Sequence, residues 1–145
     1  MKLNVQLSDN FQLHALVHSA TADKHGIIEQ YNVPFFVVNN LHNLCEYFLE
    51  PLQKQVGKLY ITSGYRHPRV NSLVGGSKNS LHMKGQAVDI TPTLNIYRAE
   101  RLSELWHVLM GWNVDQAIRY DSFIHVSWKF HGNRQEYLDY RTGKP

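Results

Sequence analysis

The sequence predicts a single α+β domain in which a small antiparallel sheet with a C-terminal hairpin packs against helices. Segments whose apolar residues recur at helical spacing are followed by short runs rich in β-branched and aromatic residues. The chain of 145 residues is long enough to bury a core without disulfide bonds. No repeat, linker or low-complexity segment divides the chain, so we expect residues 1–145 to fold as one domain.

The first predicted helix covers residues 8–26, SDNFQLHALVHSATADKHG. Ser8, Asp9 or Asn10 can cap its start, and Gly26 closes the segment. Small polar side chains are common at helix starts and glycine is common just past helix ends, which is why these bounds are expected.

The second predicted helix covers residues 39–57, NNLHNLCEYFLEPLQKQVG, and has the clearest apolar stripe of the chain. Asn39 or Asn40 can cap it, and Pro51 should kink or interrupt its final turns. Cys45 lies among apolar residues at helical spacing, so we expect a buried core thiol. Because it is the only cysteine, the chain has no internal disulfide framework.

The strands are predicted mainly in the C-terminal half of the chain. A loop with one helical turn is expected over residues 67–80, and a third amphipathic helix with Ile96 in its apolar stripe over residues 95–111. Asp121 and Ser122 suit a two-residue hairpin turn, and the polar tail should be irregular. The predicted strands lie within residues 58–66, 86–92, 114–120 and 123–130.

Composition excludes several classes of protein. The chain is 43% hydrophobic, which is typical of a globular fold, and no apolar run approaches the ~18 residues of a membrane span. Its net charge of +3 comes without a run of Lys and Arg, so neither a nucleic-acid partner nor a membrane partner is expected. The opening MKLNVQLSDNFQ lacks the apolar core of a secretory signal, which predicts synthesis in the cytoplasm.

One candidate metal site stands out. His82 lies in the loop before the second predicted strand, Asp89 within that strand, and His125 within the last strand. Two imidazoles and a carboxylate suit Zn²⁺, and strands hold such ligands in a fixed geometry. Gly85 and Ala87 would let the backbone bend closely around an ion. The alternative is a hydrogen-bonded loop histidine, a strand-end aspartate and a half-buried strand histidine.

Two histidines and two tryptophans are further candidates for binding groups. His14 and His18 are four positions apart on the first predicted helix, a spacing that can bind metal, but no acidic partner accompanies them. We expect both to face solvent or cap the helix. Trp106 should belong to the core, whereas Trp128, three residues past a candidate ligand, is predicted to wall the substrate cleft.

The motif around the candidate site resembles the M15 family of zinc peptidases, which includes D-Ala-D-Ala carboxypeptidases and phage endolysins. Residues 61–90 carry the family's central motif and its preceding Ser-Gly-Tyr-Arg, and a strand histidine follows in FIHVSW. Residues 11–27 are similar to the lead-in helix of small phage and prophage members. The pattern Ser-x-His-x-x-Gly-x-Ala-x-Asp is met by Ser80, His82, Gly85, Ala87 and Asp89.

The resemblance implies a role for each motif residue. His82, Asp89 and His125 would be three ligands of a Zn²⁺ cofactor. Arg66 would hold a carboxylate or a polarised carbonyl of the substrate, for which its planar fork of donors is suited. Ser80 would line the substrate pocket, with a structural turn hydroxyl as the alternative. The activity implied is hydrolysis of peptidoglycan stem peptides, either as a D-Ala-D-Ala carboxypeptidase or as an L-Ala–D-Glu endopeptidase.

The sequence departs from the family where the general base is expected. In many relatives an acidic residue stands three positions before the last histidine, but here that position is Ser122. Asp121 is the nearest carboxylate and our predicted base, with a plain turn aspartate as the alternative. A two-residue turn at this point would pair Ile118 with His125 and point Asp115 to the opposite face.

This departure keeps a second function open, namely a catalytically weakened, peptidase-like module that binds the cell wall. In either case we expect a monomer whose partner is a peptidoglycan peptide. The absence of a recognisable secretion signal in the sequence fits a phage or prophage protein that reaches the bacterial cell wall by other means.

Overall fold

The computed structural model describes residues 3–143. A five-stranded mixed sheet carries the helices on one face, so the α+β prediction is confirmed. The helices are α1 (Leu13–Val17), α2 (Ala20–Lys24), α3 (Phe35–Leu44), α4 (Glu50–Val56), α5 (Pro68–Leu73) and α6 (Ala99–Leu109). The strands are β1 (Gln6–Ser8), β2 (Phe11–Gln12), β3 (Tyr60–Ser63), β4 (Ala87–Thr91), β5 (Gln116–Arg119), β6 (Ile124–Ser127) and β7 (Glu136–Asp139).

The main sheet has the strand order β3-β4-β6-β5-β7. Its first three pairings are antiparallel, and β5 and β6 form the predicted hairpin, in which the backbone N–H of Tyr120 donates to the carbonyl of Phe123. Asp89 lies opposite His125 on β4 and β6, and Ile118 lies opposite His125 on β5 and β6, as the two-residue turn predicts. The register therefore places the candidate ligands side by side.

The expectation of an irregular tail is wrong for β7, which pairs parallel with β5. The strand is short and polar, and all four of its residues are half-buried, so it has no alternating apolar pattern. Its position is set by the preceding loop, where the backbone N–H groups of Gln135 and Glu136 donate to the carbonyls of Val114 and Asp115.

The first segment of the chain folds differently from the predicted single helix. Ser8 and Phe11 are paired in a small β-hairpin, so the polar residues expected to cap a helix form its turn instead. The Glu50 carboxylate stabilises this turn by accepting hydrogen bonds from Ser8 Oγ at 2.6 Å and from the backbone N–H of Asn10 at 2.6 Å. The helical part is divided into α1 and α2, and Ser19 caps α2 by accepting from the backbone N–H of Ala22.

The second helix begins earlier than expected, at Phe35 after Pro34, so neither Asn39 nor Asn40 is its cap. The interruption expected from Pro51 is present as a π-helical turn over Cys45–Leu49, directly before α4. A π turn absorbs an extra residue and is a common way to accommodate a missing helix hydrogen bond.

The two faces of the sheet differ in chemistry. Alternation along a strand sends successive side chains to opposite faces. One face packs against the helices in a continuous core, which includes the fully buried Phe48 and Cys45, as predicted for the thiol. Burial raises the pKa of Cys45 far above its ordinary value, so the thiol stays protonated. The core-facing strand residues are Val88, Ile90, Ala117, Ile124 and Val126.

Helix α6 contributes Leu102, Leu105 and Leu109 to the core, and Trp106 packs against it. Ile96 does not belong to this stripe, because it lies in a 3₁₀ turn before α6 and its side chain is 80% exposed. None of the helices in residues 3–143 is both long and apolar enough to cross a membrane.

Candidate metal centre and cleft

The face of the sheet opposite the core carries three side chains that converge on one point. Asp89 comes from β4 and His125 from the neighbouring β6, while His82 lies on a 3₁₀ turn, Leu81–Lys84, just before β4. Asp89 Oδ1 lies 3.0 Å from His125 Nδ1 and 3.3 Å from His82 Nε2. The two histidine nitrogens are 3.2 Å apart. Each residue thus offers one ligand atom to a common centre.

The backbone carbonyl of Gly64 fixes the tautomer of His82. It lies 2.7 Å from His82 Nδ1. A carbonyl can only accept, so Nδ1 carries the proton and Nε2 of the neutral ring presents a lone pair. Burial lowers the pKa of His82, although the negative charge of the neighbouring Asp89 opposes the shift, and the neutral ring is favoured. Metal-binding histidines usually donate the N–H of their other ring nitrogen to such a carbonyl.

The donor set fits a zinc ion. Nε2 of neutral His82 and Oδ1 of Asp89 are both acceptors, so their approach needs a cation between them. Ligand atoms bound at about 2.0–2.2 Å to a tetrahedral ion lie roughly 3.3–3.6 Å apart, a few tenths of an ångström more than the three separations found here. Burial alone would raise the pKa of the Asp89 carboxyl, but the contacts with His125 and His82 outweigh burial, and the pKa lies well below its usual value, so the group is an ionised carboxylate.

The glycine of the motif shapes the turn rather than the contact with an ion. Gly85 ends the 3₁₀ turn in the left-handed conformation, with φ of 72°. A Cβ at this position would lie 2.8 Å from the carbonyl oxygen of Val37 on α3. The glycine therefore lets the turn that carries His82 pack directly against α3.

Arg66 lies beside the three ligands. Its Nη2 is 3.6 Å from Asp89 Oδ2, and its side chain is 17% exposed, towards a cleft of about 600 Å³. Ser80 also lines this cleft, and its hydroxyl accepts from the backbone N–H of His82. Both predicted positions of Ser80, in the pocket wall and as a turn hydroxyl, are therefore found together.

Asn71 is a contributor that sequence reasoning missed. It is 3% exposed, and its Oδ1 accepts a hydrogen bond of 3.1 Å from Arg66 Nη1 while its Nδ2 donates to the carbonyl of Ser77 at 2.9 Å. Gly76 leaves room for this amide, since a Cβ there would lie 2.1 Å from Asn71 Oδ1. No sequence pattern marks this residue, because the short helix α5 mixes polar and apolar residues and Ser72 follows Asn71 directly.

Two predicted site residues are not brought to the cleft. Asp121 lies in the exposed hairpin turn, where its carboxylate accepts from the backbone N–H of Thr142 at 3.1 Å and from its hydroxyl at 2.6 Å. Trp128 packs against the core instead of walling the cleft, stacked on Phe48 with ring centroids 6.2 Å apart. The reason is alternation, because Trp128 lies on the face of the sheet opposite His125.

Asp115 is held away from the metal centre, as its register predicts. Its carboxylate accepts from Arg134 Nε and Nη2 and from the hydroxyl of Ser127, and its side chain is 1% exposed. His14 and His18 are exposed, and His18 lies 3.4 Å from Asp23. Across residues 3–143, the three-residue cluster at the cleft is the only group of this kind that could hold a metal ion.

Comparison with known proteins gives one match. A family model described as Peptidase M15 matches residues 9–127. This range includes the three converging side chains, Arg66 and most of the cleft, and it ends with β6. No curated protein matches the sequence.

Proposed function

The chain belongs to the M15 peptidase family, and from this premise we propose that it is a zinc-dependent peptidase that hydrolyses peptidoglycan stem peptides. The observation that carries the proposal is the convergence of two imidazole nitrogens and one carboxylate oxygen within 3.3 Å of each other at the floor of a cleft. The substrate class follows the resemblance of the motif to cell-wall peptidases. The net charge of +3 is compatible with an anionic wall.

His82, Asp89 and His125 would hold the ion, which leaves one position of a tetrahedral site for water or substrate. A zinc ion bound there supplies a Lewis acid that lowers the pKa of water towards ~7 and polarises a carbonyl. The protein's own contribution is to orient these ligands through Gly64 and the sheet register.

Arg66 would bind the substrate rather than the ion. Its guanidinium is held at the cleft by Asp89 and Asn71, and a planar fork of donors suits a peptide carboxylate or a carbonyl that gains negative charge. The same contact serves a D-Ala-D-Ala carboxypeptidase, which binds a terminal carboxylate, and an L-Ala–D-Glu endopeptidase, which binds an internal one.

Asp121 is the proposed general base, which takes a proton from the attacking water and passes it to the leaving amine. To reach the cleft it must leave its two hydrogen bonds with Thr142. Both hydrogen bonds are exposed, so water can replace Thr142 as the donor when the side chain turns away. The cost of each lies within the range of about 1.5–3 kcal/mol for a hydrogen bond to a charged group.

One observation favours a second function, the binding of wall peptides without cleavage. Within residues 3–143, Asp89 is the only acidic side chain that lines the cleft, and it is assigned to the metal. A protein in which Asp121 stays bonded to Thr142 would hold a peptide with no base to activate water.

Incubation of the zinc-loaded protein with purified peptidoglycan and with soluble stem peptides tests both functions. We expect release of new amino groups, lost in His82→Ala and kept in the surface control His18→Ala. Asp121→Asn should keep zinc and lower kcat by about 10² to 10⁴, the usual contribution of acid–base catalysis. An unchanged rate in Asp121→Asn would mean that Asp121 is only a turn aspartate and not the general base. Binding without any cleavage by the wild type establishes the second function.

A further inference from the structure

Tyr120 lines the cleft and has no role in the proposed reaction so far. Gln116, Ile118 and Tyr120 alternate along β5 and its end and line the cleft. Because Ile118 is paired with His125, Tyr120 is the diagonal neighbour of that candidate ligand on the same face, a spacing that an aromatic side chain can bridge. Tyr120 is the only tyrosine of residues 3–143 that lines this cleft.

The ring of Tyr120 is held by two aromatic neighbours. It stacks on Phe123, with centroids 4.8 Å apart and planes 21° apart, and meets the edge of Tyr140 at 5.9 Å. Phe123 also lines the cleft. No group within residues 3–143 forms a hydrogen bond with the Tyr120 hydroxyl, which leaves it available to a bound ligand.

The ordinary pKa of a tyrosine hydroxyl is about 10, so this hydroxyl is protonated at neutral pH. Burial and then the negative charge of Asp89 raise the pKa of Tyr120, and the positive charge of Arg66 only partly opposes them. The phenol therefore donates a hydrogen bond at neutral pH and does not act as a base.

We propose that Tyr120 is a catalytic residue that donates a hydrogen bond to the carbonyl oxygen of the scissile peptide bond. When the oxygen of water adds to the carbonyl carbon, the π electrons of the C=O bond move to the carbonyl oxygen. A fixed hydrogen-bond donor stabilises the negative charge that develops there. Such a donor acts more strongly on the transition state than on bound substrate. The inference rests on the proposed peptidase function and adds a second donor beside Arg66.

The test compares Tyr120→Phe with Tyr140→Phe. Both changes remove one hydroxyl and keep the ring, but Tyr140 is exposed and does not line the cleft. With zinc content verified in each protein, we expect Tyr120→Phe to lower kcat about 10²-fold with KM changed less than about twofold. Tyr140→Phe should match the wild type.

A second readout does not depend on turnover. A stem-peptide analogue with a phosphinate in place of the scissile amide carries the negative oxygen that Tyr120 would contact. Calorimetric titration should show the same loss of affinity in Tyr120→Phe as the loss in kcat/KM, and none in Tyr140→Phe.

The proposal is overturned if Tyr120→Phe keeps the wild-type kcat, if Tyr140→Phe loses as much, or if only KM rises, which would make Tyr120 a wall of the pocket. These outcomes all require a wild type that cleaves. A wild type that cleaves no stem peptide overturns the proposed function itself, so the two failures are distinguishable.

Discussion

His82 shows how the surroundings of one residue determine its chemistry. The Gly64 carbonyl accepts a hydrogen bond from Nδ1–H, and burial favours the neutral ring. Nε2 therefore carries a lone pair that can accept a proton or bind a cation. Asp89 and His125 add two further acceptor atoms at contact distance. The same ring on the protein surface would be an ordinary solvated histidine.

The ligand assignment predicts the metal content of single variants. His82→Ala or Asp89→Ala should abolish the binding of one Zn²⁺ per chain, because two remaining ligands hold the ion far more weakly. The measurement is zinc per chain by atomic absorption after dialysis. His14→Ala, which removes an exposed histidine outside the cluster, should keep full occupancy. Full occupancy in both cluster variants would contradict the assignment.

Asn71 should act on catalysis through Arg66. Asn71→Leu keeps the volume but removes the acceptor that holds Nη1 at 3.1 Å, so we expect kcat/KM to fall about tenfold with zinc retained. Arg66→Ala should lose most turnover, and adding Asn71→Leu to it should lose little more. A double variant whose losses multiply would mean that Asn71 acts independently of Arg66, through the fold alone.

At this scale the motif's resemblance to a known family, and not its spacing alone, pointed to His82, Asp89 and His125, and the structure brings these three side chains together. His82 and Asp89 lie seven positions apart, and strand alternation set the face of His125. Asn71 was missed although its partners Arg66 and Ser77 lie only five and six positions away, because contacts within a loop follow no periodic pattern. The hairpin register places Tyr120 on the face of His125 but assigns it no role. The prediction for Trp128 was wrong because it relied on nearness to His125 in sequence. Residues an odd number of positions apart along a strand face opposite ways, and these two are three positions apart.

At the scale of elements, runs of β-branched and aromatic residues predicted β3 to β6, and apolar periodicity predicted α6, which has one buried face. It failed at the N-terminal hairpin, which depends on the Glu50 carboxylate forty residues away in sequence. It also failed at β7, a polar strand at the edge of the sheet that is held there by parallel pairing with β5. Short polar elements are fixed by tertiary contacts, and a single sequence does not display these.

Asp115 joins the end of the sheet to the loop before β7, and its charge should be visible in the pH dependence of stability. Hydrogen bonds from Arg134 and Ser127 outweigh burial, which alone would raise the pKa, and hold the pKa of Asp115 below its usual value of 3.8. A lowered pKa stabilises the fold above the pKa of the unfolded chain and loses this effect as the pH falls through the folded value.

We therefore expect Asp115→Asn to lower the free energy of unfolding by about 2 kcal/mol at neutral pH, the range for hydrogen bonds to a charged group. Urea titrations at several pH values should show the gap between the wild type and the variant closing below about pH 4. Glu136→Gln is the control, because it removes only a long ion pair of 4.0 Å with Arg134 and keeps a side-chain oxygen that can accept from Gln116, so it should change stability little. A gap that is as large at pH 2 as at neutral pH would contradict the charge-based explanation.

At the scale of the whole molecule, the candidate ligands come from segments that are far apart in sequence. His82 stands on a turn packed against α3, Asp89 in the middle of the sheet, and His125 43 positions from His82 on the C-terminal hairpin. An ion held by all three would connect the helical layer to both halves of the sheet. Because the unfolded chain has no such site, binding free energy adds to the free energy of folding.

Removal of zinc should therefore destabilise the entire domain and not the cleft alone. At free zinc about a thousand times its dissociation constant, the stabilisation is about 4 kcal/mol, which corresponds to roughly 10 °C in Tm for a domain of this size. Calorimetry with and without a chelator should show one cooperative transition that moves by this amount in the wild type. Arg66→Ala should shift equally, because the arginine contacts substrate, while Asp89→Ala should not shift. A wild-type transition that the chelator leaves in place would show that the fold closes around these three residues without needing the ion.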